Sequence, residues 1–265
     1  MSVLTKEKIN RISQKEFNYI DEVIMKLVFE LHNELGRFCN EKIYHNELSG
    51  IANKMGFHAE KEVEILVKHK NFEKIYYIDM LINSSCIYEL KTVENLSGIH
   101  RKQLINYLLL SNIFYSKLIN FRRSSVEYEF VSTTLDIENR RNYKMDISQF
   151  KNNKENSTVI VDIIHDLLSD WGTFLDLDLY REAIIHFLGG KENVIVPTDI
   201  LRNNSVIGQQ NICKIDKNTA FHLSALTKNF RSYETNIKRM LNHTNLNAIQ
   251  WINFNKRNIT FKTIE

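Results

Sequence analysis

Proline is almost missing from this chain, with Pro197 alone among 265 residues, and glycine is scarce at eight. That scarcity excludes flexible glycine-rich or stiff proline-rich tethers between folded parts. The three cysteines, Cys39, Cys86 and Cys213, include no Cys-x-x-Cys pair. Zinc fingers, disulfide frameworks and four-cysteine iron–sulfur clusters are disfavoured in consequence, and Cys86 and Cys213 are expected in strands of the core. No run approaches the ~20 apolar residues of a membrane-spanning helix. The opening MSVLTKEKIN has no apolar signal-peptide core. The expected setting is soluble, reducing and cytoplasmic, with no membrane partner. Neither charge sign dominates: 35 Lys+Arg against 32 Asp+Glu give a net charge of +3. Any affinity for nucleic acid must then come from local patches and a metal rather than from a basic surface.

With 43% apolar residues the chain can bury sizeable cores. Its most informative stretch is YYIDMLINSSCIYELK, Tyr76 to Lys91. Folded as a hairpin about Asn83-Ser84-Ser85, it sets Asp79 opposite Glu89, and Lys91 shares the face of Glu89 because strand side chains alternate. Two carboxylates and an ammonium then converge on an otherwise apolar sheet. Opposed carboxylates repel unless a positive charge lies between them, and a hard divalent cation such as Mg²⁺ suits their oxygens. Glu-x-Lys by itself also occurs on ordinary solvated strand faces, so the apolar flanks are what distinguish this one. Downstream, His100, Gln103 and Tyr107 follow at helical spacing and form one stripe, which reads equally as the polar edge of a packing face. Upstream, LHNELGRFCNEKIY carries His32, Gly36, Glu41 and Tyr44.

Taken together these residues resemble the GxxExxY proteins, a branch of the PD-(D/E)XK nuclease superfamily, over about Asn18 to Val131. The Asp…Glu-x-Lys core is shared across the superfamily, and Gln-x-x-x-Tyr is typical of its RecB-like members. The name-giving glycine is Phe38 here, although the glycine of the preceding Leu-Gly pair is present as Gly36. The resemblance implies a Mg²⁺- or Mn²⁺-dependent nuclease acting on nucleic acid, with DNA the expected substrate. It implies that Asp79 and Glu89 ligate the metal, that Glu41 touches it directly or through water, and that His32 is a further ligand. It implies that Lys91 orients or helps deprotonate the attacking water, while Gln103 and Tyr107 steady the site or contact the nucleic-acid backbone. Arg101, Lys102, Arg122 and Arg123 are candidate phosphate contacts.

The second half repeats the first in pattern. LGRFCNEKIY has a counterpart in WGTFLDLDLY at a separation of 136, and Ile119-Asn120-Phe121 recurs as Ile252-Asn253-Phe254 at 133. The hairpin Ile78 to Leu90 aligns with Asn211 to Leu223, turning at Asp216-Lys217-Asn218. Such self-similarity points to internal duplication. The repeat lacks the chemistry: Asp79 falls on Ile212, Glu89 on His222, Lys91 on Ser224, Gln103 on Asn236, Tyr107 on Met240 and Glu41 on Leu177. The expected organisation is a nuclease-like domain at 1–135, a polar linker at 136–157 and a degenerate copy at 158–265. The copy would act as the second half of a pseudo-dimer, with a homodimer of chains also open, or as a grip on the substrate. The aromatic and basic tail WINFNKRNITFK reads either as such a grip or as an amphipathic strand pair.

Each half is expected to run helix, helix, three strands, helix, two strands, an α/β fold with a restriction-endonuclease-like mixed sheet flanked by helices. The competing function is a non-catalytic nucleic-acid-binding or protein-assembly module on the same fold, which has no need to keep the whole set Glu41, Asp79, Glu89, Lys91, Gln103 and Tyr107. A metal-dependent nucleotide hydrolase fits the metal site but lacks a phosphate-binding glycine loop.

Overall fold

The computed structural model describes residues 3–5, 8–151 and 157–265. The chain divides into two compact units, Met1–Ile137 and Glu138–Glu265.

In the first unit the order is β1 (Val3–Thr5), α1 (Gln14–Leu35), α2 (Glu41–Lys54), β2 (Ala59–His69), β3 (Phe72–Ile82), β4 (Cys86–Lys91), α3 (Gly98–Ser111), β5 (Tyr115–Asn120) and β6 (Glu127–Ser132). Among the described residues the strands form one mixed sheet in sequence order, in which only β4 and β5 are parallel, with α3 as their crossover. Helix α1 starts where Ser13 and Glu16 make a reciprocal capping box. It buries Phe17, Ile24, Val28 and Leu31 together with Tyr44 and Leu48 of α2 and with Met80, Tyr88 and Leu90 of the sheet. By strand alternation, Asp79, Glu89 and Lys91 therefore face away from that core cluster.

The second unit runs α4 (Ile137–Arg141), β7 (Lys144–Gln149), α5 (Ser157–Trp171), α6 (Leu177–Phe187), α7 (Lys191–Val194), β8 (Ile195–Arg202), β9 (Ser205–Cys213), β10 (Thr219–Ser224), α8 (Phe230–Leu241), β11 (Ala248–Asn255) and β12 (Asn258–Ile264). Its described strands form a four-stranded sheet, β10-β11-β12-β7, and the hairpin β8-β9.

The stretch 136–157, expected as a linker, contains α4 and β7, and β7 is the parallel neighbour of β12; residues 152–156 lie outside the described set. Its polarity has a physical reason. β7 is an edge strand with solvent on its faces, while Arg140 of α4 is buried because its guanidinium donates to the carbonyls of Thr173 and Trp171. The tail is the amphipathic strand pair: Trp251, Phe254 and Phe261 are buried in β11 and β12, so they present no ring for a base to stack on. Cys86 is buried in β4, whereas Cys213 is half-buried at the end of β9, and all three cysteines are free.

The two units share internal geometry. The rung Glu89–Leu118 between β4 and β5 corresponds to His222–Trp251 between β10 and β11, both residues displaced by 133 positions. Leu118–Glu129 corresponds to Trp251–Lys262 at the same displacement. The side-chain amide of Asn120 grips both backbone atoms of Val93, and that of Asn253 grips both of Leu226. Tyr44 donates its hydroxyl to the carbonyl of Gly36, and Tyr180 donates to that of Gly172, here displaced by 136. Gly36 and Gly172 both adopt positive φ, 71° and 73°.

Candidate active site

The site is built where β3 and β4 part company. Their antiparallel rungs are Ile82–Cys86, Leu81–Ile87 and Met80–Tyr88, which leaves Asp79 and Glu89 next in line. There the ladder stops, and Asp79 substitutes for it: its Oδ2 accepts the Leu90 amide at 3.0 Å. The same oxygen lies 3.2 Å from Lys91 Nζ. Lys91 also stands 2.7 Å from Glu89 Oε1 and 4.0 Å from Glu41 Oε1, so one ammonium faces three carboxylates.

Glu41 comes from the first turn of α2, where a carboxylate is favoured by the helix dipole. Its Oε2 accepts the Thr92 amide at 3.1 Å, which ties the helix start to the end of β4. One turn further along α2, His45 points its Nε2 to within 3.6 Å of Asp79 Oδ2. Glu41, His45 and Asp79 each offer one ligand atom, and these three atoms lie within 4.8 Å of one another. A cleft of about 520 Å³ opens on them, rimmed by Lys42, Glu62 and the half-exposed ring of Tyr77.

Glu89 is fully buried, and neither of its oxygens accepts a directed hydrogen bond. Lys91, 2.7 Å from Oε1, is its ion-pair partner. Burial, reinforced by the charge of Asp79 and opposed by Lys91, pushes the Glu89 carboxyl up to about 8. Burial works against the charge on Lys91, but the carboxylates of Glu89 and Asp79 outweigh it and raise the ammonium above its ordinary value. The buried Nε2 of His45 likewise has no hydrogen-bond partner. Buried polar groups left unsatisfied are costly and call for an explanation. A surplus of carboxylate with an orphaned imidazole nitrogen fits a hard or borderline divalent cation. Glu41, His45 and Asp79 could hold it, with Glu89 beside them.

Gln103 and Tyr107 act as a pair, the amide donating to the phenol oxygen at 2.8 Å. Tyr107 is nearly buried; burial raises its phenol, the Gln103 bond opposes this, and the charges of Glu89 and Asp79 add to the rise. His100 instead caps its own helix, its Nδ1 accepting the Ser97 amide. His32 is elsewhere: its Nε2 is 3.0 Å from the carbonyl oxygen of Arg123, its ring stacks on Phe121, and it is not among the grouped donors. Of the four basic residues singled out as phosphate contacts, Arg101 is held by both oxygens of Glu129, Arg122 donates to the Thr92 carbonyl and Arg123 to Asn95. Phe38, the departure from the glycine motif, is exposed outside the core, with Arg37 over its ring.

A comparison with protein families bears on this geometry. Residues 18–132 match the PD-(D/E)XK nuclease superfamily. The matched stretch runs from α1 to the end of β6 and contains every donor of the cluster. The α/β architecture, a mixed sheet flanked by helices, is consistent with the restriction-endonuclease-like fold of PD-(D/E)XK nucleases. No curated protein and no solved structure matches the chain. His45, which sequence reasoning passed over, is set four residues after Glu41 and so on the same helix face. That spacing is the one signal that pointed to it. Among the described residues no helix is long and apolar enough to cross a membrane.

Proposed function

We propose that the first unit is a divalent-metal-dependent nuclease that hydrolyses phosphodiester bonds in DNA. One observation carries the reading: Glu41, Asp79 and the buried Glu89 converge about Lys91, and Glu41 and Asp79 together with His45 line an open cleft as potential ligand groups. A resident Mg²⁺ or Mn²⁺ would supply charge neutralisation at the phosphate and a more acidic water. The chain does the rest. Asp79 and Glu41 fix ligand positions, because each also holds a backbone amide of the β4 end. Lys91 presents an ammonium to the attacking water and to the phosphate oxygens, within a network that keeps it protonated. Tyr107, paired with Gln103, would steady the site or contact the nucleic-acid backbone. Lys42 and the Tyr77 ring at the cleft rim are suited to a phosphate and a base respectively.

The second unit, on this proposal, is a degenerate copy that keeps the fold and has lost the metal site. The shared rungs, the paired asparagine grips and the paired tyrosine–glycine bonds support a common origin. One live site per chain would nick duplex DNA, or cut one strand per binding event. Three free cysteines suit a reducing, cytoplasmic setting.

The test is cleavage of circular single-stranded and supercoiled double-stranded DNA with Mg²⁺, Mn²⁺ or EDTA, comparing wild type with Lys91→Ala and Asp79→Asn. Metal-dependent cutting that disappears in both folded variants is expected, with nicked circles preceding linear product. Cutting indifferent to both variants, or none under any metal, would leave a non-catalytic binding or assembly module as the better account.

A further inference from the structure

The second unit contains a cavity of about 510 Å³ bounded by α6, β9, β10 and α8. That volume lies within the ~300–1,000 Å³ of small-molecule sites. It sits where the cluster of the first unit sits. The bridge Lys214–Ala220 and the β10–β11 rungs keep β9 and β10 at the displacement of 133, so Ile212 stands for Asp79 and His222 for Glu89. On α6 the displacement is 136, fixed by the Tyr180–Gly172 bond, and Arg181 stands for His45. All three line the cavity, as do Asn236 and Met240 in the places of Gln103 and Tyr107.

The charge is inverted relative to the first unit. No carboxylate is among the described lining residues, and Arg181 is the one permanently charged group. Arg181 also pairs with Asp178 outside the lining at 2.6 Å, but both side chains are about half exposed and such pairs hold weakly. Desolvation, then the neighbouring Arg181, lowers the imidazole of His222 below its ordinary value. Its Nε2 is 2.6 Å from the hydroxyl of Tyr233, and the two rings lie 5.7 Å apart, with Trp251 5.6 Å behind Tyr233. Ile212, Ile237 and Ile249 supply apolar walls, and the amides of Gln210 and Asn236 supply both donors and acceptors.

We propose that this cavity binds a nucleoside monophosphate: Arg181 takes the phosphate, the isoleucines and the His222–Tyr233 pair enclose the flat base, and the amides meet its polar edge. A guanidinium matches phosphate in geometry as well as charge. The preference for an anion with a flat apolar body follows from the cavity alone. The choice of a nucleotide rests on the nuclease reading, because strand ends that carry a terminal nucleotide and its phosphate are what that chemistry produces, and a mononucleotide is the smallest probe of such an end.

The experiment is titration calorimetry on the full chain in EDTA, which removes metal-assisted binding by the first unit. The probes are the deoxyadenosine and thymidine monophosphates, deoxyadenosine, and inorganic phosphate. The monophosphates are expected to bind, with deoxyadenosine and inorganic phosphate each roughly tenfold weaker or worse, since each keeps only part of the contacts. Arg181→Gln and Asn236→Asp, both at exposed positions and checked for folding by circular dichroism, are each expected to weaken the monophosphates by a similar factor. No binding of either monophosphate overturns the inference. So does binding that neither variant alters, or inorganic phosphate binding as tightly as the nucleotides. DNA cleavage by the same preparation separates the two readings. Cutting without nucleotide binding sinks the cavity and leaves the nuclease, whereas nucleotide binding without cutting supports the cavity and sinks the nuclease.

Discussion

Asp79 completes a strand pairing that Leu90 would otherwise lose: its carboxylate accepts the amide of Leu90 where the β3–β4 rungs end, and it offers the same oxygen to Lys91. Structural and chemical duties thus fall on one side chain. Asp79→Ala is expected to abolish cleavage and to destabilise the first unit by ~1–3 kcal/mol, the cost of an orphaned buried amide. Asp79→Asn, which keeps an acceptor for that amide, should abolish cleavage at a smaller cost. Urea unfolding of the two variants beside the cleavage assay tests the split, and equal destabilisation by both would refute it.

Glu89 gives a dependence of stability on pH. Burial, which disfavours its charge, pushes its carboxyl up to about 8 in the folded protein. A raised folded value contributes stability that is complete below the unfolded pKa and is lost as pH rises through the folded one. The metal-free protein should therefore lose stability between about pH 4.5 and 8, and Glu89→Gln should flatten that part of the profile. Thermal melts in EDTA across this range read it directly. Added Mg²⁺ should restore more stability to wild type at pH 8 than at pH 5.

His45→Ala should weaken divalent-metal affinity by roughly tenfold to a hundredfold, the scale on which metal-site contacts are lost. Its effect on cleavage should shrink as metal is raised. Metal titrations followed by cleavage rate, alongside the same titration of His32→Ala, make the comparison. His32 holds the Arg123 carbonyl and is expected to affect stability without shifting the metal midpoint.

The two glycines that receive a tyrosine hydroxyl should tolerate alanine differently. Both have positive φ, which costs a non-glycine residue ~1–2 kcal/mol. A Cβ on Gly36 meets open space, whereas one on Gly172 would stand 2.7 Å from Arg140 Cβ and 3.0 Å from its backbone carbon. Gly172→Ala should unfold at clearly lower denaturant than Gly36→Ala. Similar midpoints for the two would contradict the packing described around Arg140.

Most of the first unit was legible because its signals are local. Apolar alternation fixed the face on which Asp79, Glu89 and Lys91 lie, and the polar triplet at 83–85 fixed the hairpin register. His45 was not legible, since a histidine four residues after a glutamate is ordinary on any helix; only the fold brings β3 against it. His32 had the same helical look and lies beside Arg123 instead. The polarity of 136–157 reads as a linker with a short strand or helical turn around Tyr143 to Phe150; β7 falls there as an edge strand, which permits that polarity, while Arg140 was hidden by its charge, which two backbone carbonyls satisfy. The aromatic tail offered two readings that composition could not separate, and burial of Trp251 and Phe261 favours the strand pair.

The pairing of β7 with β12 joins residues near the start of the second unit to the last residues of the chain, and Lys151 is also tethered to Glu265. Anyone wishing to produce the second half alone must begin upstream of Arg140. A truncation at 157 would bare the flank of β12 and leave an open strand edge, a ready template for aggregation.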